Sequence, residues 1–200
     1  MPAPDEGWVG NWSPGIGDPS FFGWLTVIAY FAAALGAWAA SRRITAAMAA
    51  LSAARRERWF WRLLSLAFGV LGINKQLDLQ SLLTELGRLA ARAQGWYEVR
   101  RSVQFAFIAG AAAVGLLAAL SALYLVRAAS AGAKVAALGS ALVVTFVVVR
   151  AASFHHVDEL IDVRWLGLRV NWILELGGIA VVLAGTALQW RDFARVQRAP

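Results

Sequence analysis

Long apolar stretches cover most of this chain, and its ionisable residues gather at their ends. Stretches at 21–40, 59–79, 103–126, 133–153 and 170–190 approach or exceed the roughly 20 residues that a helix needs to cross a hydrocarbon core. Hydrophobic residues make up 60% of the 200 positions and charged residues 16%, against roughly 25% charged in a soluble domain. A β-barrel would read as short segments of alternating polarity, which the unbroken stretches exclude. The expected fold class is all-α. It is a polytopic membrane protein with residues 1–200 as a single transmembrane domain, five crossing helices and one amphipathic interfacial helix at about 79–94.

The second stretch is the least regular. Its purely apolar part, Trp59 to Ile73, is too short to span alone. Continued to Leu79 it has 21 residues and reaches about 31 Å, with Asn74, Lys75 and Asp78 at its outer end. A re-entrant segment is the alternative. Beyond it, Leu79, Leu82, Leu83, Leu86, Leu89 and Ala90 form one stripe, with Ser81, Thr84, Glu85, Arg88 and Arg92 off it. Such a helix lies on a membrane surface or packs on the rest of the protein, and Gly95 is placed to end it. Small residues recur every four positions at Ala29, Ala33, Ala37 and Ser41, and again at Ala133, Ala137, Ala141 and Thr145. They allow close helix approach. The expected partners are thus the lipid bilayer and further copies of the chain or a larger membrane complex.

The net charge is +7, which in a soluble protein would suggest nucleic acid. Here no basic groove with interleaved aromatics appears, so nucleic acid is not an expected partner, and the arginines read as topology signals. No Lys or Arg precedes the first stretch, and five follow it before the second. With five crossings, this puts the N-terminus outside and the C-terminus in the cytoplasm. Four crossings rank second. The acidic residues Asp5, Glu6 and Asp18 near the start argue against a cleavable signal. The tail from Arg191 to Pro200 is expected to be frayed. Without cysteine the chain has no disulfide, thiolate metal site or cysteine nucleophile.

Three polar clusters fall on the outer side in this topology. If the fourth helix continues past Ser153, His155, Asp158, Glu159 and Asp162 share one face, His156 points about 100° away, and Arg150 groups with Phe154, Val157 and Ile161. A histidine among carboxylates can bind a divalent metal or act with them in acid–base chemistry. His155, Asp158 and Asp162 are the candidate ligands, and a divalent metal is the candidate cofactor. A helix end with solvated acids is the plainer reading. In the last stretch Asn171 and Glu175 share a face with Gly178 and Gly185. Glu175 lies one to two turns inside apolar sequence, where a carboxylate must be protonated, paired or wet. Candidate partners are Lys75, Arg101, Arg150 and Arg169. Asn74, Lys75 and Asp78 also share a face. Lys75 could pair locally with Asp78, and Asn74 could cap the next helix. No serine sits in a G-x-S-x-G setting, and two adjacent histidines on one helix do not ligate a haem.

The stretches Gly72-Ile73-Asn74-Lys75-Gln76-Leu77-Asp78-Leu79-Gln80 and Phe154-His155-His156-Val157-Asp158-Glu159-Leu160 resemble a group of small bacterial inner-membrane proteins that carry no established function. The resemblance implies a bacterial inner-membrane location and transfers no activity or catalytic residue.

These residues lead to three expectations. The first is a non-enzymatic transporter-like or accessory component, whose outer polar cluster binds an ion, a proton or a lipid headgroup. The second is a membrane-embedded hydrolase built on the His155 cluster. The third is a structural subunit of a membrane complex.

Overall fold

Six helices and one short hairpin appear in the computed structural model, which describes residues 7–44, 52–77, 79–95, 100–152, 164–165 and 168–198. Helix α1 spans Phe21–Arg43, and Ser20 caps it by accepting the Gly23 N–H at 3.0 Å. Asp18 Oδ1 fixes that cap, accepting the Ser20 hydroxyl at 2.6 Å and its N–H at 3.1 Å. Arg42 and Arg43 in the last turn complement the negative end of the helix dipole.

Next come α2 (Ser52–Leu77) and α3 (Leu79–Ala93). Gly95 follows α3 at φ 72, the left-handed conformation that commonly stops a helix. Helices α4 (Arg100–Val126) and α5 (Ala131–Ala152) follow. Ser130 caps α5, its hydroxyl accepting the Ala133 N–H at 3.1 Å. Strands β1 (Arg164–Trp165) and β2 (Leu168–Arg169) pair antiparallel, Arg164 opposite Arg169, and lead directly into α6 (Val170–Arg198).

The five long helices pack in the cyclic order α1, α2, α4, α5, α6, with a smaller contact across the ring between α2 and α5. The α5–α6 and α1–α2 interfaces are the most extensive. Glycines set the first of these. A Cβ on Gly185 would lie 2.5 Å from the Ala136 nitrogen and 2.7 Å from the Gly132 oxygen, and one on Gly139 would lie 2.8 Å from the Gly178 oxygen. Gly132 therefore faces Gly185, and Gly139 faces Gly178, across an antiparallel contact too close for side chains. On α1, Ala33, Ala37 and Ser41 are buried. At Gly72 of α2 an added Cβ would stand 3.1 Å from that of Tyr30. The core gathers around Tyr30, Phe60, Trp61, Phe68, Val143 and Ile179.

Among the described residues three helices are long and apolar enough to cross a membrane: Phe21–Arg43, the Ala131–Val149 part of α5 and the Val170–Arg195 part of α6. Large apolar side chains point outward along the bundle, among them Ile28 (64% exposed), Leu66 (66%) and Leu117 (64%). Such a surface is compatible with insertion in a membrane. Helix α2 is not among the three, because Arg55, Arg56, Glu57, Arg58, Arg62 and Lys75 lie along it.

Several expectations change. Asn74 does not cap α3, because α2 continues through Leu77 and holds Asn74 inside it. The C-terminal segment is helical to Arg198 rather than frayed from Arg191, with Phe193 packed against the core. Of the every-four series on α5, Ala133 and Ala137 are buried and Thr145 is exposed, and the closest contact between α5 and α6 follows Gly132, Ala136, Gly139 and Val143, a four-three-four spacing. Glu85, on the polar side of the α3 pattern, is only 4% exposed. A tight turn at Gly7–Trp12 covers it, and the Asn11 N–H donates to Glu85 Oε1 at 3.2 Å. Helix α3 has no extensive interface with any other described helix.

Candidate functional site

Glu175 lies on α6 one turn after Asn171 and is 4% exposed. Both of its carboxylate oxygens are engaged from other helices. Lys75 Nζ, on the last turns of α2, stands 2.7 Å from Oε2, and the Tyr30 hydroxyl of α1 donates to Oε1 at 3.0 Å. The Lys75 side chain is itself only 11% exposed. Removing a carboxylate from water costs several kcal/mol, recovered only when a partner charge and further hydrogen bonds complete its shell. Lys75 and Tyr30 supply them, and the requirement ties α1, α2 and α6 together at one end of the bundle. One turn before Glu175, Asn171 Oδ1 is buried with no hydrogen-bond donor among the described residues, an open acceptor.

The segment before α1 covers this end. The last carbonyls of a helix lack intrahelical donors, and the Gly17 N–H meets one of them, Gln76 O, at 2.7 Å. Gln76 and Asp18 exchange two longer bonds, Asp18 N–H to Gln76 Oε1 and Gln76 Nε2 to Asp18 O, both 3.4 Å. Partial burial alone would raise the Asp18 carboxyl. The Ser20 hydroxyl and N–H, the Lys75 charge and the Trp172 side chain outweigh burial and hold it below the usual carboxylate range. The Trp172 ring also stacks on Phe22 at 4.6 Å. Lys75 thus answers two carboxylates, Glu175 by contact and Asp18 through space.

Glu175, Asp18 and the Asn171 side chain present hard oxygen acceptors, and Lys75 Nζ stands 2.7 Å from Glu175 Oε2. Among the described residues no group of three His, Cys, Asp or Glu could hold a metal ion.

Of the residues singled out from sequence, the structure brings Lys75 and Glu175 together, with Asn171 a turn away from Glu175. Asn74 is half-buried on α2, and Arg150 lies near the end of α5. Asp78, His155, His156, Asp158, Glu159 and Asp162 lie outside the described residues, and the candidate metal ligands are among them. Sequence reasoning missed Tyr30, Gln76, Asp18 and Trp172. Tyr30 did carry a signal, as the sole hydroxyl-bearing aromatic of the first apolar stretch, because a buried phenol seeks a partner.

At the opposite end Ser130 joins three elements. Its N–H and hydroxyl donate to Glu57 of α2 at 3.2 and 2.7 Å, and its oxygen also contacts the Gln189 amide of α6. That contact is to Gln189 Oε1. Around this end arginines lie over aromatic rings: Arg43 on Trp190 at 4.0 Å, Arg42 on Trp38 at 5.1 Å, Arg62 on Trp59 at 5.4 Å and Arg127 on Tyr124 at 4.4 Å. No family model, curated protein or solved structure matches the chain, so the resemblance of the Gly72–Gln80 and Phe154–Leu160 stretches draws no support from those comparisons.

Proposed function

We propose that this is a non-enzymatic, transporter-like membrane protein that takes up a small cation or a proton at Glu175. The carrying observation is a carboxylate buried at 4% exposure near the start of an apolar helix, met from other helices by the Lys75 charge and the Tyr30 hydroxyl. An apolar pair of similar volume would hold the helices as well or better, so stability alone does not account for a lysine and a glutamate here. In this reading Lys75 acts as an internal cation that keeps the site closed. A cation arriving at Glu175 displaces it, and the covering segment at Gly17–Asp18 must shift to let it in. Helices α1, α2, α4, α5 and α6 then cross a bacterial inner membrane with the N-terminus outside. The Tyr30–Lys75–Glu175 cluster faces that outer side.

The test uses purified protein in liposomes, with Na⁺, K⁺ and H⁺ gradients imposed in turn and uptake read by dyes selective for each. Wild type should show protein-dependent uptake of one of them. Glu175→Gln, which keeps the shape and an acceptor for Tyr30, should abolish it. Absence of uptake in wild type, or uptake unchanged in Glu175→Gln, would overturn the reading and favour a structural subunit. A bound stoichiometric metal lost on His155→Ala would favour the hydrolase instead.

A further inference from the structure

The cyclic arrangement of helices leaves a gap. Between α2, α4 and α5 runs a cleft of about 600 Å³, walled by Phe60, Leu64 and Leu71 of α2, Ala118 and Leu125 of α4 and Ala141 of α5. From Phe60 to Leu71 the helix rises about 16 Å, close to the hydrocarbon depth of one leaflet, roughly 15 Å. Among the described residues the only charged one on the lining is Lys134, on the first turn of α5 at the end where α4 stops. Lys134 is exposed and makes no ion pair with a described residue. Other cations flank that end. Arg127 and Arg56 lie over Tyr124, at 4.4 and 6.0 Å, and Arg56 Nε is buried with no acceptor among the described residues. Glu57, the acid of this region, is already occupied by Ser130.

We propose that this cleft holds one acyl chain of an anionic glycerophospholipid from the surrounding bilayer, with the lipid phosphate on the Lys134 ammonium. The inference rests on the membrane reading and not on cation uptake at Glu175, which lies at the other end of the bundle. An apolar slot one leaflet deep suits a single chain. An unpaired cation at its mouth, with arginines beside it, suits a headgroup of net negative charge and disfavours one that carries its own ammonium.

Native mass spectrometry of the detergent-purified full chain tests it, with phosphatidylglycerol and phosphatidylcholine of identical acyl chains added in turn. Wild type should retain phosphatidylglycerol about five-fold or more over phosphatidylcholine, the contribution of roughly one interfacial cation. Lys134→Gln should bring the two to near equality without lowering phosphatidylcholine occupancy. Ala118→Phe, which fills the cleft from an exposed position on α4, should lower both. Melting temperatures equal to wild type establish that both variants are folded. Equal retention of the two lipids by wild type, a preference that survives Lys134→Gln, or occupancy unchanged in folded Ala118→Phe would each overturn the proposal.

Discussion

Substituting alanine for Gly185 should push α5 and α6 apart, and the neighbouring Gly177 provides the control. The new Cβ at position 185 would lie 2.5 Å from the Ala136 nitrogen, 2.7 Å from the Gly132 oxygen and 2.8 Å from the Ala136 Cβ. Backbone atoms have no rotamer to escape into. To restore an ordinary 3.4 Å contact the two helices must part by about 0.9 Å, which also loosens the matching contact between Gly139 and Gly178. Overpacking of this kind costs about 1–3 kcal/mol, and the absence of a movable side chain puts Gly185→Ala near the upper end. At Gly177 an added Cβ meets nothing within 4 Å. There Gly177→Ala should gain up to about 1 kcal/mol from helix propensity alone. Both variants share that gain, so the difference between them isolates the clash at about 3 kcal/mol. For a chain of this size each kcal/mol moves the melting temperature by roughly 2–4 °C, and the two variants should melt about 6–12 °C apart in the same detergent. Melting temperatures within about 1 °C of each other would refute the packing of α5 on α6 through these glycines.

Two other expectations concern the end of the bundle at Glu175. Lys75→Met alone leaves a buried carboxylate without its countercharge and should cost about 3–5 kcal/mol; adding Glu175→Leu should recover most of it, and a single variant that unfolds like wild type in detergent would show that the pair is not formed. The Asp18 carboxyl is held below its usual range in the folded protein, so its contribution to stability is fully present above the unfolded value of about 3.9 and lost as pH falls through the lower folded value. Unfolding followed from pH 6 down to pH 2 should therefore show wild type losing more stability than Asp18→Asn, and parallel curves would contradict the capping role of Asp18.

The all-helical class and the three long apolar helices could be read from the sequence because apolar length specifies them locally. Burial of Ala33, Ala37 and Ser41 followed from their spacing for the same reason. Glu175 announced its need for a partner, since a carboxylate in apolar sequence cannot stand alone, and Lys75 was among the cations within reach. Tyr30 and Asp18 were not legible as members of the same group. They stand 145 and 157 positions before Glu175, and helices that are apolar all round, such as α1, offer no polar face to orient them. Glu85 was misplaced because periodicity assigns it to solvent and takes no account of the Gly7–Trp12 turn that folds over it. In α5 an every-four reading of small residues hid the glycines, because the antiparallel register that pairs Gly132 with Gly185 depends on α6 as much as on α5.

Asn11 and Gly17 secure the N-terminal segment through main-chain N–H groups, to Glu85 and to the end of α2. A bond made by the main chain does not depend on which side chain is present. Natural variation at Asn11 should therefore be broad, whereas losing or gaining a single residue between positions 11 and 17 would put the two anchors out of step. Apart from proline at either anchor and the Ser13 hydroxyl, which accepts the Trp8 N–H at 3.2 Å, this stretch should thus drift in composition while its length is held constant.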